Sequence, residues 1–141
     1  MIVLGINSYH ANSSAALVVD GELVFAIEEE RLNRIKNTGG FPRLAIEECL
    51  KYKKISLNDV DLISINSNPK EQILKKIKFT FKNLINFSDI VKKIHNLSKK
   101  INLREEIDKI KNFGTFKGRI INTEHHLSHI ASSYFISGFT E

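Results

Sequence analysis

The chain has 141 residues, 42% of them apolar and 26% charged, with a formal net charge of +5 and a single cysteine. That length suits one domain with a sizeable buried core, and one cysteine excludes an intrachain disulfide framework. No apolar run approaches the roughly 18 residues of a membrane span, and the opening MIVLGINSYH has no basic leader region, so it reads as a first strand and not as a signal peptide.

Residues 2–6 form a short continuous apolar run, suited to a buried central strand. A polar loop over residues 7–14 follows. Two strand-like runs, 15–19 and 22–27, then flank Asp20-Gly21. Asp-Gly at that place predicts a two-residue type I′ hairpin, because both turn positions need positive φ. Three strands in an antiparallel meander are therefore expected. Glu28-Glu29-Glu30-Arg31 ends the third strand, and residues 32–40 read as a polar loop. Pro42 suits the first turn of a helix, which runs to about Tyr52 and gathers lysines at its C-terminal end, where the helix dipole favours cations. Cys49 lies on its apolar face, which suits an inert buried thiol and a reducing, cytoplasmic setting. Residues 56–61 connect to a fourth strand, 62–65.

From Lys70 to Phe113 apolar residues recur at helical spacing. Two or three helices are expected, broken near Ser88 and Asn102, with Ser88 as an N-cap. Residues 66–118 hold 13 Lys/Arg against 5 Asp/Glu, so the middle of the chain is basic while its flanks are acidic. Lysine-rich helices with a solvated face explain this charge, as does a polyanion partner. The stretch 66–117 reads as an inserted helical element. A fifth strand, 118–122, precedes a last helix.

The element order βββ–α–β–α–β–α predicts an α/β fold with a mixed five-stranded sheet and flanking helices. That is an RNase H-like order, which is also one half of an actin-like ATPase domain, here with an inserted helical segment.

Three stretches carry candidate chemistry. The last helix contains EHHLSHIASSYF, residues 124–135. His125 and His129 are four apart, one above the other on one helical face, the spacing that offers two imidazoles to one metal ion. A third ligand would be needed, and a protease-type HExxH is excluded because His126 stands where the glutamate would be. The first loop offers Asn7, Ser8, His10, Asn12, Ser13 and Ser14, a set able to contact a phosphate or to form an ordinary polar turn. The third stretch is Glu28 to Arg31 with Arg34 and Lys36. Its carboxylates need cations or hydrogen bonds, and its cations could hold an anionic substrate.

Taken together, the SSAAL–DG hairpin, the EEERxxRxK run, GFPxxAIxxCL and HHLSHIASSYF resemble the O-carbamoyltransferase family, which includes antibiotic-tailoring and nodulation-factor enzymes. The resemblance covers residues 1–54 and 118–141 and omits the 70–113 stretch. It implies an N-terminal actin-like domain, a YrdC-like domain that makes carbamoyl-adenylate from carbamoyl phosphate and ATP, and transfer of the carbamoyl group to a hydroxyl of a small-molecule acceptor. It implies a divalent metal, often iron, held by His125, His129 and a distant aspartate. His126 would be a proton-transfer or carbamoyl-orienting group. His10 and Ser13, with Ser14, Arg31 and Lys36, would lie at the nucleotide or carbamoyl site. Asn12 stands where such proteins commonly have Asp, so no catalytic role is assigned to it. The resemblance further implies that the second half-domain and the YrdC-like domain lie outside these 141 residues, which alone would fold without catalysing transfer.

Two other readings are a basic nucleic-acid-binding module built on residues 70–117, and a scaffold that dimerises through exposed apolar surface. The phenylalanines of the basic stretch fall at apolar positions, which suits core packing better than base stacking.

Overall fold

The computed structural model describes residues 1–9, 12–66, 103–110 and 112–137. Most of the expected lysine-rich insertion, residues 67–102, lies outside the described residues. Among them are strands β1 (Ile2–Asn7), β2 (Ser14–Val19), β3 (Glu22–Glu28), β4 (Leu62–Ile65) and β5 (Arg119–Asn122). The helices are α1 (Glu29–Asn33), α2 (Arg43–Lys53), α3 (Leu103–Asp108) and α4 (His125–Ile136). A 3-10 turn, Leu57–Asp59, precedes β4.

The five strands form one sheet in the order β3-β2-β1-β4-β5. β2 runs antiparallel to both β1 and β3, while β4 pairs parallel to β1 and β5 parallel to β4. A meander extended by two parallel strands on the far side of β1 is the RNase H-like arrangement that the element order predicts. The β2–β3 turn has Asp20 at φ 51° and Gly21 at φ 91°, the left-handed pair that a type I′ hairpin requires. The N-terminal ammonium lies against the Asp20 carboxylate.

Alternation along the strands sends Leu4 and Ile6, Ala15 and Leu17, and Ile63 and Ile65 to one face. There they meet Ala45, Ile46, Cys49 and Leu50 of α2. Each large side chain so buried stabilises the fold by roughly 1.5–3 kcal/mol. Ile107, Ile110 and Phe116 complete this cluster. The last part of the stretch read as an insertion, residues 103–117, thus supplies a wall of the common core. Helical spacing alone could not distinguish an apolar face turned to this sheet from one turned to another insertion helix.

A second difference concerns the residues after β3. Glu29, Glu30 and Arg31, expected to end the third strand, instead form with Leu32 and Asn33 of the expected loop the short helix α1, closed by Arg34 at φ 63°. The three carboxylates of the EEE run are separately accommodated. Glu29 is only 6% exposed, and its carboxylate accepts from the backbone N–H groups of Leu44 at 3.2 Å and Ala45 at 2.8 Å. Pro42, the N-cap of α2, supplies no side-chain cap, so Glu29 satisfies the helix's orphan donors from a distance. Glu30 accepts from the Asn37 N–H, and Glu28 lies 3.7 Å from Arg31.

Candidate functional site

β1, β4 and β5 are mutually parallel, and β3 runs with them because both it and β1 oppose β2. Consequently Asn7-Ser8, Asn66, Thr123-Glu124 and Glu28-Glu29 all emerge at the same end of the sheet. Ser14 joins them as the register partner of both Asn7 and Glu28. In open α/β sheets this carboxyl end is where ligands collect.

The loop after β1 is tied down from both sides. The Tyr9 N–H donates to the Gly40 carbonyl, and the Ser13 N–H to that of Thr38. Asn7 donates through Nδ2 to the Asn12 carbonyl at 2.9 Å and accepts from Asn66 Nδ2 at 2.7 Å. Tyr9 and Asn12 both have positive φ, at 62° and 59°. Asn tolerates that region, which explains Asn12 as a turn residue, whereas Tyr9 is an unusual occupant. Ser13 is fully buried, and its hydroxyl donates to the Thr38 carbonyl at 3.0 Å. That hydroxyl thereby joins the loop to the segment after α1. His10 lies outside the described residues.

Two buried polar atoms at this end have no partner among the described residues: Ser8 Oγ and Asn66 Oδ1. Buried polar groups are nearly always hydrogen-bonded, so these two atoms mark this end of the sheet as a polar one. Ser8 belongs to the polar set legible in the sequence. Asn66, at the end of β4, comes beside it only through the parallel pairing of β1 and β4.

On the β3 side, Ser14, Glu28 and Arg31 line a shallow concavity of about 370 Å³ with Ala15, Ala16, Ala26 and Ile27. The structure thus places Ser14 and Arg31 on one concavity. Lys36 is exposed in the turn beyond α1 and does not line this concavity. Four strand spacings of about 4.8 Å put β3 and β5 roughly 19 Å apart across the sheet, with Arg31 following the one and the histidine helix the other. Ser8 and Asn66 lie between them.

α4 begins directly beyond β5. Its N-cap is Glu124, whose carboxylate accepts from the Leu127 N–H and meets His126 Nδ1, each at 2.8 Å. Hydrogen bonds from Leu127 first, and then from His126, hold the Glu124 carboxyl down at about 2. His126 and His129 are exposed, and the backbone places His125 and His129 one turn apart on this helix. Among the described residues no group of three His, Cys, Asp or Glu gathers tightly enough to hold a metal ion. The donor chemistry fits a divalent metal in part: two imidazoles at this spacing supply two ligands and require another from elsewhere. Ser64 Oγ and Thr123 Oγ1, 2.8 Å apart, join the ends of β4 and β5 beneath the helix start.

The sequence matches the carbamoyltransferase N-terminus family over residues 2–141. The chain belongs to that family. It is 36% identical over 148 residues to an uncharacterized protein, sll1178, of Synechocystis sp., covering 99% of this chain and 24% of that protein. It is 34% identical over 140 residues to the nodulation protein NolNO of Sinorhizobium fredii, covering 96% of this chain and 19% of that protein. The chain thus spans about a fifth to a quarter of the length of these relatives. Among solved structures, YeaZ from Pseudomonas aeruginosa superposes with a TM-score of 0.48 at 11% identity, covering 98% of this chain and 52% of that one. Among the described residues, no helix is long and apolar enough to cross a membrane.

Proposed function

We propose that this chain forms the N-terminal part of a carbamoyltransferase that moves a carbamoyl group onto a hydroxyl of a small-molecule acceptor. The observation that carries the reading is the family match over residues 2–141. The convergence of polar side chains at one sheet end supports it. In the proposed reaction, carbamoyl phosphate and ATP yield carbamoyl-adenylate on a separate YrdC-like domain of the parent protein. The acceptor oxygen then bonds to the carbamoyl carbon as the bond to the adenylate phosphate oxygen breaks.

Ser14 and Arg31 would hold the anionic part of the donor, the guanidinium supplying charge-assisted hydrogen bonds. Lys36 would contribute positive charge from the neighbouring turn, and Ser8 and Asn66 would bind polar atoms between the two sides. His126 would accept the proton of the acceptor hydroxyl, with His10 as a further proton-transfer or orienting group. His125 and His129 would hold a divalent metal, with iron the expected ion and a third ligand from outside this chain. When bound, that metal supplies Lewis-acid polarisation of an oxygen. Leu127, Ile130, Tyr134 and Phe135 of α4 are all more than half exposed. That apolar surface favours burial against further protein, which the proposal assigns to the rest of the parent carbamoyltransferase in a cytoplasmic setting.

The test uses the full-length parent with labelled carbamoyl phosphate, ATP and a hydroxyl-bearing acceptor. Labelled carbamate ester should form, and His125→Ala and His129→Ala should each lower both bound metal and turnover. No ester from any hydroxyl acceptor, or full metal content in both variants, would sink the respective parts of the reading.

A further inference from the structure

The histidine helix is capped by an unusual residue for that position. Ser, Thr, Asp and Asn are the preferred N-caps, because a short side chain reaches the N–H of the third helical residue. Glu124 serves that donor, Leu127 N–H, through Oε2 and uses its extra length to place Oε1 2.8 Å from His126 Nδ1. A serine in its place could satisfy the helix but could not span to the imidazole.

An ionised carboxylate can only accept hydrogen bonds. The nitrogen facing Oε1 must therefore carry the proton. In a neutral imidazole one nitrogen is the donor and the other the acceptor, and the partner of one decides the role of the other. We infer that Glu124 is a positioning residue that holds His126 in its Nδ1-protonated tautomer, making Nε2 the basic nitrogen of the ring. The tautomer follows from this contact wherever the carboxylate is ionised and the ring neutral. Its catalytic consequence rests on the proposed role of His126 as proton acceptor: Nε2 would be the atom that takes the hydroxyl proton. The His126 side chain is 85% exposed, so Glu124 biases the tautomer without burying the ring.

Ring nitrogen shifts of His126, measured by long-range ¹H–¹⁵N correlation at a fixed pH of about 8.5 with chelator present, test the inference directly. The wild-type chain should show Nδ1 protonated and Nε2 unprotonated. Glu124→Ser should keep the helix by circular dichroism and move most of the population to the Nε2-protonated form. An Nε2-protonated ring in the wild type, or an unchanged tautomer in Glu124→Ser, overturns the inference. If Glu124→Ser unfolds the helix, Glu124→Gln answers the same question. One of its two terminal atoms is a donor, so the Nδ1-protonated fraction must fall, and an unchanged fraction counts against the inference.

In the full-length protein, Glu124→Ser should lower kcat for transfer at least about tenfold, as expected when a catalytic imidazole is left in the wrong tautomer. KM for carbamoyl phosphate and ATP should be unchanged, and no further loss should appear when Glu124→Ser is added to His126→Gln. Full activity in His126→Gln would overturn the proton-transfer reading while the ring shifts still decide the tautomer. Full activity in Glu124→Ser beside an inactive His126→Gln would overturn the positioning role itself.

Discussion

Replacing Glu29 by alanine should destabilise this fold more than any other single change in the EEE run. The Glu29 side chain is nearly buried and receives two backbone N–H groups from the first turn of α2. Removing it leaves those donors without their carboxylate, at a helix start where Pro42 offers no replacement cap. Loss of an ordinary N-cap costs about 0.5–2 kcal/mol, and hydrogen bonds to a charged group are worth about 1.5–3 kcal/mol. Since the donors lie at a partly buried helix end, a loss of about 2–4 kcal/mol is expected for Glu29→Ala, and about half that for Glu29→Gln, which keeps one acceptor. Glu28→Ala and Glu30→Ala, whose partners are more exposed, should each cost less than about 1 kcal/mol. Urea unfolding followed by circular dichroism, with m unchanged, gives these values directly. A Glu29→Ala variant within about 0.5 kcal/mol of wild type would refute the capping role and return Glu29 to the pool of candidate ligand-binding groups.

Ile107→Ala and Phe116→Ala should each cost about 2–5 kcal/mol in the same assay, because both side chains close the common core; near-zero values would instead mark 103–117 as a removable insertion. Gly118→Ala should weaken the fold by more than about 1 kcal/mol, since a Cβ there would lie 2.4 Å from the Asp61 carbonyl oxygen; wild-type stability would mean that the β4–β5 connection yields freely. Burial pushes the Cys49 thiol up to about 11, so at pH 8 only about one part in a thousand is thiolate. Labelling by iodoacetamide should therefore track unfolding, and rapid labelling of the native chain would contradict the packing. Hydrogen bonds from the Ser56 backbone and hydroxyl lower the Asp59 carboxyl below its ordinary 3.8. Its stabilising contribution is thus complete above about pH 4 and fades as pH falls through the lowered value. The stability difference between wild type and Asp59→Asn should shrink on acidification over that window, and a difference that grows would reverse the assignment.

Much of the fold was legible because short-range chemistry dictates it. Asp20-Gly21 can be read without a structure, since a two-residue turn with positive φ at both positions admits few residue types. The alternation of Leu4 with Ile6, and the helical spacing of Ala45, Ile46, Cys49 and Leu50, likewise announce which faces are apolar. The EEE run was legible only as charge. Three adjacent carboxylates look alike in the sequence, yet Glu29 turns inward to α2, Glu30 caps a turn and Glu28 meets Arg31. The difference arises because α1 winds the chain where the end of a strand was expected. Ser13 shows the same limit: its residue type suits phosphate binding, while the bond of its hydroxyl to the Thr38 carbonyl emerges only from the packing of the loop before β2.

The sequence by itself determined the element order, the hairpin, the i, i+4 spacing of His125 and His129, and membership in a carbamoyltransferase family. Spacing along one helix or turn is a local property, and local geometry follows from residue type. Only the tertiary structure decided that Ser8 and Asn66 share one sheet end, that β3 and β5, which lead to Arg31 and to the histidine helix, are opposite edges of the sheet, and that Ile107, Ile110 and Phe116 wall the core. Those facts depend on strand order and direction, which bring together residues tens of positions apart. Glu124 belongs to both levels: its place before two histidines is plain in the sequence. That its carboxylate spans to His126 while capping the helix depends on how the chain turns out of β5.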